Sequence, residues 1–268
     1  MLILLTNDDG IMAPGLLAMY RELVALGEVH VVAPETVQSA TGHGITITTP
    51  LLTSRVTVGE ANGFTGTAVD GRPADCVKLA VAQLLPRAPD LVVSGMNSGA
   101  NVGINVLYSG TVAAAVEAAF LGLPSVAVSL YLRHHIPADY ARACVFARQT
   151  IEQMLATGGL TAGRCVSVNI PALGHDDQPT GTKIVRQCVR PWADTYERRT
   201  DPRGRDYFWN SSVFTLGDTE DDTDVAALRD GYITVTPLQF DLTHYHLMRE
   251  WQGLDWEVSV DRRRPWSS

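Results

Sequence analysis

The run ILLTNDDG, residues 3–10, decides the fold. Ile3 to Thr6 is apolar at consecutive positions, so a strand there is buried on both faces, as in a parallel sheet covered by helices on each side. It breaks at Asn7, Asp8, Asp9 and Gly10, and a helical pattern follows: Pro14 to Leu26 carries Leu16, Met19, Tyr20, Leu23 and Val24, with Gly27 where a helix stops. VHVVA (Val29–Ala33) repeats the buried-strand pattern. Farther on, PADCVKLAVAQLL (Pro73–Leu85) reads as a helix with proline in its first turn. DLVVSG (Asp90–Gly95) reads as a strand, TVAAAVEAAFLG (Thr111–Gly122) as a helix, SVAVSL (Ser125–Leu130) as a strand and Tyr140–Leu155 as a helix. Strand and helix alternating over short loops predict an α/β fold with a doubly wound, mostly parallel, Rossmann-like sheet.

Two regions depart from that rhythm. ITITTPLLTSRVTV (Ile45–Val58) alternates like a half-exposed hairpin. Beyond about Cys165 the chain is strand-rich (CVSVNIP, TKIVRQCV, YITVTPL), with a polar, turn-rich stretch from Ala193 to Asp224. HLMREWQGL then reads as a short helix or arm. Without repeats or a low-complexity linker, residues 1–268 are expected to form a single domain. Its core covers about 1–165, and a β-rich extension covers about 166–268.

Composition narrows the function. The 268 residues are 46% hydrophobic and 19% charged, as in a packed globular chain. A formal net charge of −8 with no block of Lys or Arg argues against a partner of duplex nucleic acid, which needs a basic footprint. An acidic protein that handles a small phosphate needs a cation or a ring of backbone N–H groups. No apolar run reaches the ~18 residues of a membrane span. The chain starts in a strand without a basic leader, so a cytoplasmic location is expected. Cys76, Cys144, Cys165 and Cys188 are far apart and lack a C-x-x-C pair, which predicts reduced core thiols rather than zinc or disulfides.

In open α/β sheets ligands bind beyond the carboxyl ends of the strands. Three such loops carry polar residues: Asn7-Asp8-Asp9; Ser39 and His43; and Asn97, Ser98 and Asn101, leading to Tyr108-Ser109-Gly110-Thr111. One aspartate at a strand end commonly caps a helix or makes an Asx turn. Two adjacent ones exceed that need, and a divalent ion relieves their repulsion. With Ser39 and Asn97 they offer oxygen donors only, a set suited to Mg²⁺, Mn²⁺ or Ca²⁺ rather than zinc. Singly, Ser39 and Asn97 are ordinary loop residues. Ser109-Gly110-Thr111 before an alanine-rich helix is either a phosphate-binding helix N-terminus or an N-cap alone. His43 is a candidate proton donor, a phosphate ligand, or a loop residue without a role. His244 and His246 read as structural or interface residues, and Asp241 is close enough in sequence to pair with His244. Gly42-His43-Gly44 lacks the later glycine of a dinucleotide loop, Ser109-Gly110-Thr111 has no P-loop lysine, and there is no G-x-S-x-G elbow.

In their order, LLTNDDG, APETVQSATGHGIT, GRPADCVKLA, VVSGMNSGANVG, YSGTVAAAVEAAFLGLPSVAVSL, DPRGRDYFW and GYITVTPLQFDLTH resemble the segments of the SurE (survival protein E) family of metal-dependent nucleotidases, over nearly the whole chain. The resemblance implies one divalent ion per subunit, Mg²⁺ or Mn²⁺ with Ca²⁺ as an alternative, held by Asp8, Asp9, Ser39 and Asn97. It implies phosphate contacts from Asn97, Ser109, Gly110 and Thr111, with Asp8 and Asp9 catalytic and His43 the candidate general acid. One aspartate would take a proton from an attacking water, or attack covalently. The implied activity is hydrolysis of nucleoside 5′- or 3′-monophosphates, with polyphosphate trimming in some members. The implied assembly is a homodimer or homotetramer in which C-terminal segments reach a neighbour. Four residues depart from the family pattern: Met96 and Ser98, where isoleucine and alanine are common; Gly44, where a small polar residue is frequent; and Arg72, where threonine is usual.

Overall fold

In the computed structural model, residues 1–60, 62–174, 176–191, 195–211, 216–217 and 219–256 are described. Leu2–Thr6 forms strand β1 with every residue buried. After it come helix α1 (Pro14–Leu23), β2 (Glu28–Pro34), β3 (Thr53–Val58), β4 (Phe64–Val69), α2 (Pro73–Leu79), β5 (Leu91–Ser98), α3 (Gly110–Phe120), β6 (Ser125–Leu130) and α4 (Tyr140–Ala156). The remainder is β7 (Cys165–Ile170), β8 (Gly181–Ile184), β9 (Tyr196–Thr200), β10 (Asp206–Asn210), α5 (Asp224–Arg229), β11 (Tyr232–Leu238) and α6 (Tyr245–Gln252).

Among the described residues, nine strands make one sheet in the order β3-β4-β2-β1-β5-β6-β7-β11-β8. Pairing is parallel from β4 through β7, and antiparallel for β3 with β4 and for β7 with β11. The two-residue side-chain period sorts the core into layers. Ile3, Leu5, Val31 and Val93 pack with Leu16 and Met19 of α1 and Ile151 of α4. The alternate residues Leu4, Val32 and Val92 pack with Cys76 and Val77 of α2 and Ala114 and Ala118 of α3. The sheet is thus covered on both faces, which is why its strands are apolar at successive positions.

β1 lies between β2, which follows it in sequence, and β5, which comes after an excursion to the other side. The chain therefore reverses its direction of strand addition beside β1. The carboxyl ends of β1, β2 and β5 meet at that switch point, the place where open sheets leave a crevice.

Several elements differ from the sequence expectations. In the stretch 45–58 only Thr53–Val58 is a strand, paired with β4, while Ile45, Ile47 and Leu52 are exposed. The upstream alternation finds no partner strand, because the N–H and hydroxyl of Thr46 bind the Asp75 carboxylate instead (2.9 and 2.7 Å). β4 escapes a pattern search because Gly66 interrupts it; a Cβ there would lie 2.9 Å from the Val31 carbonyl oxygen. α2 ends at Leu79 and gives way to a π-turn over Ala80–Leu84. Within 182–189 only the start is strand, since the Cys188 N–H turns to the buried Asp224 carboxylate (2.8 Å). The stretch 193–224 holds the β9–β10 hairpin, and Asp224 itself opens α5; residues 193–194, 212–215 and 218 lie outside the described residues.

Met1–Leu238 forms one unit and Gln239–Ser268 another. In the second, α6 buries none of its residues and leaves Met248 and Trp251 exposed. Asp241 accepts from Thr243 N–H and from the Tyr245 hydroxyl rather than pairing with His244, whose Nδ1 caps α6 at Leu247 N–H. All four cysteines are free and buried, and among the described residues no helix is long and apolar enough to cross a membrane.

Candidate metal and phosphate site

Asp8 and Asp9 leave the end of β1, Ser39 follows β2, and Asn97 lies near the end of β5. The first loop is pinned to the second by Ile11 N–H on the Pro34 carbonyl (2.8 Å) and by Gln38 N–H on the Asp8 carbonyl (2.7 Å). It is pinned to the third by Ser98 N–H on Asp9 Oδ2 (2.8 Å). Ser98 also exchanges a 2.7 Å hydrogen bond with the Tyr140 hydroxyl at the start of α4. Gly15 of α1 seats this loop, since a Cβ there would stand 2.2 Å from the Met96 carbonyl oxygen.

Asp8 is met directly by the start of α3. The Thr111 hydroxyl donates to Asp8 Oδ1, and the Thr111 N–H also favours the ionised carboxylate. Gly110 is there for space: a Cβ on it would lie 2.8 Å from Asp8 Cβ and 3.1 Å from Pro73 Cγ. Ser109 is the N-cap, its Oγ accepting from Val112 N–H (3.1 Å) and its carbonyl from Ala113 N–H (3.0 Å). The Gly110 N–H is what remains of the first turn for an anion, the Thr111 N–H being turned to Asp8.

Burial penalises the charge on Asp8, and repulsion from Asp9 adds to it, so its carboxyl is pushed up to about 6 despite Thr111. Asp9 is likewise raised by desolvation, partly offset by the Ser98 N–H. Thr6 Oγ1, Asn7 Oδ1 and Ser94 Oγ, beneath the pair, are buried without a partner among the described residues. Asn97 Nδ2 donates to the Gly99 carbonyl (2.7 Å), which directs its amide oxygen elsewhere. Asp9 Oδ1, Asn97 Oδ1 and the exposed Ser39 Oγ keep no hydrogen bond among the described residues. With Asp8 they form an oxygen-only donor set that fits a hard divalent ion. Among the described residues no group of three or more His, Cys, Asp or Glu is placed to hold a metal ion, so this set depends on Ser39 and Asn97 as well.

His43 lies deeper along α3. Its Nε2 hydrogen-bonds Glu117 Oε2 (2.8 Å), and its ring stacks on Phe120 with centroids 5.1 Å apart. Lys78 holds the other Glu117 oxygen (3.1 Å). Desolvation opposes the Glu117 charge, but the bonds from His43 and Lys78 outweigh it and keep the carboxyl below its ordinary value. Sequence reasoning missed Glu117, although a lone carboxylate within TVAAAVEAAF is a visible signal. It also missed the Thr111 hydroxyl as the partner of Asp8. Asn101 is a clamp rather than a ligand: its N–H and Nδ2 bind Asn169 Oδ1 and Ser129 Oγ, both at 2.8 Å. Asp224 similarly secures Gly103 N–H (2.8 Å) in the loop before α3.

A family model described as Survival protein SurE matches residues 3–194. The 5′-nucleotidase SurE of Syntrophobacter fumaroxidans is 48% identical over 249 residues, 92% of this chain and 97% of that protein. The 5′-nucleotidase SurE of Heliobacterium modesticaldum is 43% identical over 267 residues, 98% and 96% of the two chains. The crystal structure of the SurE protein from Aquifex aeolicus matches with a TM-score of 0.79 and 36% identity, over 93% of this chain and 98% of that one. The match runs through the loops that build the crevice as well as the sheet beneath them, and the chain belongs to the SurE family.

Proposed function

We propose that this protein is a divalent-metal-dependent phosphohydrolase that releases phosphate from nucleoside monophosphates. The observation that carries the reading is the junction of Asp8 with the start of α3, where a carboxylate pair and an anion-binding helix end share one hydrogen bond. The relatives named 5′-nucleotidase SurE support a nucleoside 5′-phosphate as substrate. Hydrolysis of 3′-phosphates and of polyphosphate belongs to the same proposal and is resolved by assay.

Asp8, Asp9, Ser39 and Asn97 would hold the ion. Bound there, a Mg²⁺ or Mn²⁺ ion supplies charge neutralisation at the phosphoryl group and a more acidic water. The Gly110 N–H and the Ser109 hydroxyl orient the phosphoryl oxygens and stabilise their developing charge, while Thr111 holds Asp8 beside them. Asn97 contributes from the opposite loop. Asp8 or Asp9 accepts the proton of the attacking water. His43, held by Glu117, is the candidate donor to the leaving oxygen, and reaching it requires exchange of that bond. The exposed Met248 and Trp251 on α6 support assembly into a dimer or tetramer through C-terminal segments. The four buried free thiols suit a cytoplasmic setting.

The test is phosphate release from 5′- and 3′-monophosphates and polyphosphate, each with Mg²⁺, Mn²⁺ or EDTA. Metal-dependent release from a nucleoside monophosphate is expected. Release that persists unchanged in EDTA, or none from any nucleotide, would overturn the proposal.

A further inference from the structure

We propose that Arg72 forms a second anion subsite at the rim of this crevice, favouring phosphomonoesters whose leaving group carries a further phosphate. The inference rests on the phosphohydrolase reading above. Arg72 immediately precedes Pro73, whose Cγ stands 3.1 Å from the Cβ position of Gly110, a point 2.8 Å from Asp8 Cβ. The arginine therefore enters from the turn that walls the phosphate loop. Its side chain runs across Gly44: a Cβ on Gly44 would lie 1.7 Å from Arg72 Nη1, 2.8 Å from Cζ and 3.2 Å from Cδ. Gly44 is not in the left-handed region, unlike Gly42 at φ 58°, so its backbone does not demand glycine. The guanidinium fills the space a side chain at 44 would take, so a larger residue there would turn the arginine aside. Gly44 and Arg72 are thus neighbours in space.

The backbone on either side is tied to one carboxylate. Asp75 accepts from Arg72 N–H (2.9 Å) and from Thr46 N–H (2.9 Å) and hydroxyl (2.7 Å). The guanidinium itself is exposed and has no carboxylate partner among the described residues. The neighbouring basic side chains differ, since Lys78 and His43 both bind Glu117. A charged fork left free beside a phosphate-binding helix end matches two oxygens of another phosphate. It supplies positive charge that a more highly charged substrate needs.

The experiment compares adenosine 5′-monophosphate with adenosine 3′,5′-bisphosphate, using the full chain and its Arg72→Ala, Arg72→Lys and Gly44→Ser variants. Calorimetric binding of the bisphosphate in EDTA runs alongside. Arg72→Ala should cost about tenfold more in kcat/KM on the bisphosphate than on the monophosphate, through KM. Arg72→Lys should fall between. Gly44→Ser should produce the same selective loss with Arg72 present and add nothing in the Arg72→Ala background. Equal losses on both substrates, or no loss on either, would overturn the subsite. If wild type hydrolyses neither substrate, the phosphohydrolase reading fails. The subsite is then judged by binding alone, and equal bisphosphate affinity in wild type and Arg72→Ala removes it.

Discussion

Asp8 combines an electrostatic cost with a functional position. Its folded pKa, about 6, lies above the ordinary carboxyl value of 3.8, so the native state holds a proton that the unfolded chain releases between these values. Stability from this group is therefore present below about pH 3.8 and lost as pH rises through 6, by about 3 kcal/mol. Above pH 6 the metal-free protein carries that penalty in full. Asp8→Asn is expected to raise the unfolding temperature in EDTA at pH 8, to abolish further stabilisation by Mn²⁺, and to remove most phosphate release. A lower unfolding temperature than wild type in EDTA would show that the Thr111 bond outweighs the burial of charge. Gly110 follows the same logic of space. Glycine-to-alanine near a helix start ordinarily favours the helix by up to about 1 kcal/mol. Here the added methyl meets Asp8 Cβ at 2.8 Å, so Gly110→Ala should destabilise by about 1–3 kcal/mol and lower kcat, read by denaturant unfolding and steady-state kinetics.

Helix α3 links three parts of the site along its length. Its first turn holds Asp8 and faces the anion position, and Glu117 two turns later holds the His43 loop and Lys78. Gly42 N–H on the Tyr108 carbonyl (3.0 Å) ties that same loop to the residues before the helix. Glu117→Ala would leave His43 and Lys78 without their shared carboxylate and free the segment that carries Ser39. The expected result is a loss of about 1–3 kcal/mol in stability and weaker Mn²⁺ binding by calorimetry, with Asp8 and Asp9 unchanged. Mn²⁺ affinity equal to wild type would show that the loop is held by its backbone bonds alone. Such a carboxylate is hard to recognise in sequence, because an alanine-rich apolar helix gives no hint of which face a single glutamate takes. The extended 45–52 stretch misleads in the opposite way: its alternation is that of a strand, yet Asp75 captures Thr46 before any neighbour can pair with it.

The large unit Met1–Leu238 contains the whole sheet, whereas α6 in Gln239–Ser268 buries no residue. Limited proteolysis of the metal-free protein should therefore cut first within 239–256 and leave a resistant fragment ending near Leu238. First cleavage inside β1–β7 would contradict that order. Much of the sheet was legible along the chain: SVAVSL and YITVTPL match β6 and β11 to the residue, the first because a consecutive apolar run requires burial on both strand faces, the second because its β-branched residues favour an extended chain. The adjacent aspartates after β1, the oxygen donors on two later loops and the cap at Ser109 were legible for a similar reason, since their chemistry is local. Strand order was not, because parallel neighbours are joined through long crossovers, and nothing within ILLTNDDG specifies that β5 rather than β4 lies beside it. Sequence alone determined the α/β class, the polar strand ends and the family resemblance. Only the tertiary structure decided that Thr111 meets Asp8 across 103 residues, that Glu117 takes His43, and that Gly44 makes room for Arg72. Each of these contacts depends on which strands and helices are neighbours, and that is set by packing of the whole sheet rather than by any local segment.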